Sequence, residues 1–382
     1  MPKSIVSIAR CNEYDLSKVS KSLTEVLEPI GGINAFVKPG NTVLIKINLL
    51  RGCEPDKAVT THPTVIEAVI RAVQEAGGTP VAGDSPGGPN MQRQIDKLVQ
   101  VTGVKEVCDR TGAEFVLFDR DTTTIKSPEA KLFTSFTTGH IVSEADVIIT
   151  LPKLKTHGLM KFTGAVKVLF GVIPGLEKAQ FHLKVPDRMD FADMLLDIYL
   201  AVKPALSIMD GVIAMEGDGP SGGDPKHIGA LFASTDSIAL DCVASSVIGF
   251  NPLDVYTNKA AVVRGLIANI DDIEITGAPL AEIIDPDFKH PKGELADEKA
   301  PGWLVGSLKS LATSMPYLAI PDICSGCGTC KQSCPAGAIT YVDKKPTFDY
   351  DKCIRCYCCE ELCPEVAIKR KNHWLVRPFV GK

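Results

Sequence analysis

The chain reads as an α/β protein with a large N-terminal domain on a mostly parallel sheet, followed by a small cysteine-rich α+β domain. Three observations predict this. Apolar strand-like runs alternate with helical periods from the start to about residue 280. Polar residues collect at the ends of those strands and in glycine-rich turns. Eight cysteines near the C-terminus fall into two copies of one spacing.

The elements follow in order. Val43–Ile47 is apolar apart from Lys46 and predicts a buried strand. Thr64–Ala76 has helical periodicity through Val65, Ile66, Val69, Ile70 and Val73, and Gly77 and Gly78 stop it. Further strands are expected at Thr79–Ala82, Phe115–Phe118, Val147–Leu151, Leu206–Met209 and Leu231–Ala233. Residues 281–320 lack a sustained period and are proline-rich, so they read as a connector. A short helix is expected around Leu304–Leu311, with Trp303, Leu304 and Val305 anchoring the connector on the large domain. The division is then 1–280, 281–320, 321–371 for the cysteine-rich domain, and a basic tail at 372–382.

In open α/β sheets, ligands bind at the carboxyl ends of the strands. Five segments collect there. Lys46 and Asn48 alternate and so share a face; a lysine in an apolar run demands a partner for its charge. Thr60–Pro63 precedes a helix, where Thr61 is a candidate cap and Thr61 and His62 are candidate anion contacts. Gly83–Gly88 supplies Asp84 and Ser85. In Leu151–Gly158, the alternation of Lys153, Lys155 and His157 puts all three on one side, and Lys161 and Lys167 add to the positive field. Glu216–Pro225 is acidic and glycine-rich, and reads as an acidic wall facing the lysines. His157, with Glu216 or Asp84 as a second acid, is the expected proton donor. Asp241 is a candidate partner for one of the lysines.

Cys324, Cys327, Cys330 and Cys334 follow Cys-x2-Cys-x2-Cys-x3-Cys and are followed by Pro335; Cys353, Cys356, Cys359 and Cys363 repeat the pattern before Pro364. Two-residue gaps let three thiolates converge from one tight loop. Zinc sites usually carry separated Cys-x2-Cys pairs instead, and disulfides need an oxidising compartment. The stretch from 321 to 371 resembles the 2[4Fe–4S] bacterial ferredoxin family. In that family the fourth cysteine of each run serves the other cube. The resemblance therefore implies one cluster on Cys324, Cys327, Cys330 and Cys363 and a second on Cys353, Cys356, Cys359 and Cys334. Ala338–Val342 and Ala367–Lys369 read as short strands closing two pseudo-symmetric halves. Cys358 is a ninth thiol, read as a spare, a competing ligand or a contact for a redox partner.

With 382 residues, 45% hydrophobic and 23% charged, the composition is that of a globular protein, and a net charge of −5 gives no nucleic-acid footprint. No apolar run reaches the roughly 20 residues that span a bilayer, and Met1–Tyr14 has no apolar signal core. A cytoplasmic protein of a low-oxygen cell is expected, with no membrane or nucleic-acid partner; the oligomeric state is not set by the sequence. The tail from Lys369 is basic, either a solvated end or a dock for an acidic electron donor.

Val43–Leu49, Thr60–Pro63, Gly83–Pro86, Pro152–His157 and Met215–Gly219 together resemble the DUF362 family over roughly residues 3–275. The family pattern has a proline where Ile47 stands and an asparagine where Val168 stands. The resemblance implies the α/β architecture and a C-terminal ferredoxin-like companion; it supplies no substrate. The expected function is an iron–sulfur oxidoreductase. Electrons from a ferredoxin or flavodoxin would reach an anionic substrate, or a bound flavin or other anionic cofactor, held by the lysines. The alternative is a non-catalytic electron carrier whose large domain is a docking platform.

Overall fold

Alternation along one strand sets out the architecture. Val43, Ile45 and Ile47 pack into one apolar core, and Leu44 packs into the other. The sheet therefore lies between two layers of helices. The computed structural model describes residues 3–267, 269–291 and 314–371.

The strands of the large domain are β1 (Ile5–Arg10), β2 (Thr42–Lys46), β3 (Thr79–Asp84), β4 (Glu114–Leu117), β5 (Thr122–Lys126), β6 (Ser135–Gly139), β7 (Val147–Thr150), β8 (Lys153–His157), β9 (Lys161–Thr163), β10 (Leu206–Glu216), β11 (Asp224–Ser234) and β12 (Glu274–Gly277). The main sheet runs β12-β1-β11-β10-β7-β2-β3-β4, with β8 pairing β10 and β9. From β10 through β7, β2 and β3 to β4 every pairing is parallel; β11 is antiparallel to both β10 and β1. The mostly parallel sheet expected from the sequence is present. β2, β3 and β4 step one way and β7 and β10 the other, so the order reverses between β2 and β7. A reversal of this kind opens a crevice at the carboxyl ends of the strands.

Two local readings are corrected. The helix after β2 runs Pro63–Glu75, and its cap is His62, whose Nδ1 accepts from the Thr64 amide at 3.2 Å. Thr61 is not the cap: its Oγ1 accepts from the Asn48 amide and donates to the Leu151 carbonyl. The segment at 216–225 is not a free acidic loop. It is the turn between the eleven-residue strands β10 and β11, and Glu216 pairs with Asp224 across it.

In the cysteine-rich module, β13 (Met315–Leu318) pairs with β16 (Ile368–Lys371), and β14 (Ile339–Val342) pairs with β15 (Lys345–Phe348). The two expected strands correspond to β14 and β16. The connector helix at 304–311, its Trp303 anchor and the tail at 372–382 lie outside the described residues.

The module seats on the large domain. Arg51 donates to the Ser221 carbonyl (3.0 Å) and the Pro364 carbonyl (3.3 Å), and Ser221 Oγ donates to the Glu361 carbonyl (3.0 Å). Arg370 bonds Glu360 at 2.8 Å, reaches Asp218 at 3.5 Å and lies over the Tyr357 ring. The approach is close enough that a side chain at either of two glycines would displace a side chain of the module. A Cβ on Gly158 would fall 1.8 Å from Arg370 Nη1, and one on Gly87 would fall 2.2 Å from Leu362. Arg370→Ala leaves the Glu360 carboxylate buried without its cation, which costs docking about 2–3 kcal/mol. The expected readout is faster hydrogen exchange in segments 217–221 and 357–362; unchanged protection there would remove Arg370 from the clamp.

Candidate functional site

The two cysteine loops are folded alike for a local reason. Each must turn sharply twice, and the first places Gly326 (φ 69°) and Gly328 (φ 82°) at the left-handed positions. The second adopts the same conformation with Arg355 (φ 58°) and Tyr357 (φ 63°). Tyr357 is held there by hydrogen bonds between its hydroxyl and Ser314. After each run an amide donates back to the fourth sulfur: Ala338 to Cys334 at 3.3 Å, and Ala367 to Cys363 at 3.4 Å.

All thirteen cysteines are free of disulfides. Cys330 lies within electrostatic reach of Cys327 and Cys363, and Cys353 within reach of Cys356 and Cys334. These proximities are compatible with the ligand exchange the ferredoxin resemblance implies, and the dicluster match below supports iron–sulfur clusters here. Among the described residues no three Cys, His, Asp or Glu side chains crowd together as ligands of a single ion would; four thiolates around a cube stand further apart. Amide donors to sulfur stabilise the more negative, reduced state.

Beside the second loop lies a chamber of about 100 Å3. Its walls come from the carboxyl ends of β2 and β3 (Lys46, Asn48, Asp84, Ser85), from Lys155 on β8, and from Lys167, Lys178 and His182. The module closes it with Ser333, Cys358, Glu361 and Leu362. Four lysines thus face two carboxylates.

One carboxylate is already committed. Asp84 Oδ1 sits 2.8 Å from Lys46 Nζ, and its Oδ2 accepts from the Leu49 amide at 2.7 Å. Lys155 is different. Its ammonium meets the Val59 carbonyl at 2.6 Å and the Pro220 carbonyl at 3.5 Å. Burial, and next the charge of Lys167, pull its pKa down to about 7. Burial lowers Lys178 to about 8 and Lys167 in the same direction. An anion placed among these lysines regains the Coulomb energy that burial costs them.

Several residues singled out in the sequence lie elsewhere, and each has a physical reason. Lys153 and Lys155 are on the same strand, but alternate residues stand about 6–7 Å apart, and each finds its own nest. Lys153 Nζ is fully buried against Asp210 Oδ2 (2.8 Å) and the Tyr14 hydroxyl (2.7 Å). His62 stacks on Tyr14 with centroids 3.5 Å apart, and burial pushes its pKa down to about 4. Glu216 is held by the amide and the ammonium of Lys289, both at 3.0 Å. Lys161 stands over the Tyr256 ring. Asp241 caps backbone instead of pairing a lysine: it accepts from the Ala165 and Val166 amides. His157 lies just behind the chamber. Its Nδ1 accepts from the Leu159 and Met160 amides, and its buried Nε2 lies 3.5 Å from Glu361 Oε1 without a hydrogen-bond partner. Burial pushes its pKa well down, so the ring is neutral.

Sequence reasoning missed Lys178, His182, Ser333 and Glu361. Lys178 and His182 sit on the helix Gly175–Lys184, where charge alternates with apolar residues as on any solvated face. Nothing in the local sequence marks Ser333 or Glu361 as facing another domain.

Fold and site together define an iron–sulfur electron-transfer protein with a lysine-walled chamber between its two parts. The chain belongs to the DUF362 family: the model for the domain of unknown function DUF362 matches residues 43–246, and that for a 4Fe-4S dicluster domain matches 317–364. The thylakoid-associated protein sll1697 of Synechocystis sp. is 35% identical over 293 residues, covering 75% of this chain and 88% of that protein. Pyruvate synthase subunit PorD of Methanothermobacter marburgensis is 43% identical over 63 residues, 16% of this chain and 73% of that one. The lactate racemase apoprotein of Thermoanaerobacterium thermosaccharolyticum superposes at a TM-score of 0.40 with 15% identity, over 64% of this chain and 56% of that one. Among the described residues no helix is long and apolar enough to cross a membrane.

Proposed function

We propose that the protein is an iron–sulfur reductase acting on a small anionic molecule held in the chamber. The observation that carries this reading is the double role of one turn. Cys356 and Cys359 belong to the second ligand set, and Cys358, Glu361 and Leu362 of the same stretch line the chamber. The bound clusters would supply single electrons, drawn from a carrier protein such as a ferredoxin or flavodoxin. At about 100 Å3 the space favours a small anion over a flavin. A reducing cytoplasm is where thiolate-held cubes persist, and the proposal places the protein there.

In this reading Lys155, Lys167 and Lys178 bind and orient the anion. Lys155 and Lys178, with pKa values of about 7 and about 8, are also able to deliver a proton near neutrality. His157 stays neutral behind the Glu361 carboxylate. Lys46 and Asp84 hold each other and shape the wall. The reading takes Lys153, Thr61, His62 and Glu216 as structural.

The test is reoxidation of the anaerobically reduced protein by pools of small cellular anions, followed by cluster absorbance. Lys155→Gln should slow it at least about tenfold with iron content unchanged. Reoxidation by protein partners alone, indifferent to Lys155→Gln, would favour the docking-platform role instead. The pH dependence has a fixed sign. Both lysines carry charge and proton below their pKa values, so the rate should fall as pH rises through about 7 to 8. A rate that climbs across that window contradicts the assignment.

A further inference from the structure

The two cysteine loops share a conformation but not an environment. Cys334, Cys353, Cys356 and Cys359 line one small cavity, closed by Pro316, Ile339, Phe348 and Tyr357 among others. The first loop lies at the surface: of the eight ligand thiols only Cys327 is exposed, where its counterpart Cys356 is half-buried. The hairpin of β14 and β15 folds over this first loop. Lys345 donates to the Pro321 carbonyl at 2.6 Å and to the Cys324 carbonyl at 2.9 Å. Tyr341 reaches inward, its hydroxyl 3.1 Å from the Cys330 sulfur. Strand alternation turns the next residue outward, and Val342 is 59% exposed. Ile323 and Ile320, on and beside the segment that Lys345 holds, are 45% and 41% exposed.

The turn of that hairpin is strained. Asp343 (φ 48°) and Lys344 (φ 61°) both take the left-handed conformation that asparagine and glycine adopt at lower cost. It packs on Gly326, where a Cβ would fall 2.9 Å from the Lys344 carbonyl oxygen. Strain of this kind collects where a segment binds. Charge divides the module in the same way. Residues 320–345 hold Lys331, Lys344 and Lys345 against Asp322 and Asp343, although the chain carries −5 overall. Residues 349–366 hold Lys352 and Arg355 against five acids. Lys331 and Lys344 are both exposed.

We propose that this face is the electron entry port and that it docks a small acidic one-electron carrier protein. An apolar centre with a charged rim is the anatomy of a protein contact. Electron tunnelling falls off steeply with distance. A carrier seated on Ile323 and Val342 abuts the loop of Cys324 and Cys327, whereas the second ligand set is screened by its cavity wall. Carboxylates of the carrier meet Lys331 and Lys344, which steers the encounter. One electron passes from the carrier's reduced centre to the protein; no bond breaks and no proton moves. This rests on a carrier protein supplying the electrons, as proposed above, and does not depend on what the chamber holds.

The test uses anaerobically purified, cluster-loaded full-length protein. The probe is a reduced, acidic bacterial flavodoxin; the control is reduced methyl viologen, a small cation. Cluster bleaching by flavodoxin should be fastest at low salt and slow as ionic strength rises. Lys331→Glu with Lys344→Glu should slow it at least about tenfold, with viologen reduction not slowed and iron and sulfide unchanged. Carbodiimide cross-linking of the unaltered protein should join Lys331 or Lys344 to a flavodoxin carboxylate, read by peptide mass mapping. Equal flavodoxin rates in the two proteins, or cross-links confined to Lys352 or to the large domain, overturn the entry port and leave the carrier reading standing. Viologen reduction without flavodoxin reduction removes both. A dimer in sedimentation that Val342→Glu dissolves would assign the patch to a second copy of the chain, which also overturns the proposal.

Discussion

Alanine at Cys334 is expected to abolish the second cube and spare the first, and alanine at Cys363 to do the reverse. The reason is the ligand exchange the ferredoxin resemblance implies, with which the electrostatic reach of Cys363 to Cys330 and of Cys334 to Cys353 agrees. Each fourth cysteine follows a short helix, Thr329–Gln332 or Cys358–Glu361, that separates it from the first three of its run. Paired variants make the test sharp. Cys324→Ala with Cys363→Ala should lose no more iron than either alone, since both strip one cube. Cys324→Ala with Cys334→Ala should lose both cubes. Anaerobic iron and sulfide analysis reads the difference directly. The opposite pattern would mean that each run closes on its own cluster.

Asp210→Ala is expected to destabilise the large domain by about 3–5 kcal/mol, the cost of leaving a buried charge unpaired. Asp210 and Lys153 are both fully buried and 2.8 Å apart. Asp210 also accepts from the Tyr14 hydroxyl at 2.8 Å and from the His62 amide at 3.0 Å. Removing it strands the Lys153 ammonium, whose pKa burial already lowers, among apolar neighbours. Lys153→Met together with Asp210→Ala should recover most of the loss, because neither charge is then buried. Urea denaturation followed on the large domain gives the comparison. A loss below about 1 kcal/mol for Asp210→Ala would show that the pair is solvated in solution.

Part of this was legible in the sequence because it depends on local spacing. Two-residue cysteine gaps set the cluster loops without reference to distant residues. The alternation of Lys46 and Asn48 at the end of β2 suggested a shared face, and both line the chamber. What could not be read depends on partners far along the chain. The fate of Lys153 is set by Asp210 and Tyr14, and that of Glu216 by Lys289. A basic residue at a strand end looks the same whether it meets a carboxylate or a cavity. The missed wall of the chamber, Ser333 with Glu361, belongs to the other domain. Only the docking of the module, through Arg51, Ser221 and Arg370, brings it there.

The most direct measurement is a crystal structure of the full-length protein purified without oxygen. The account predicts two cubes, the one on Cys353, Cys356, Cys359 and Cys334 nearer the chamber, and an anion within hydrogen-bond distance of Lys155 and Lys167. A chamber filled only with water, or a module seated so that Cys358 and Glu361 face solvent, would contradict it.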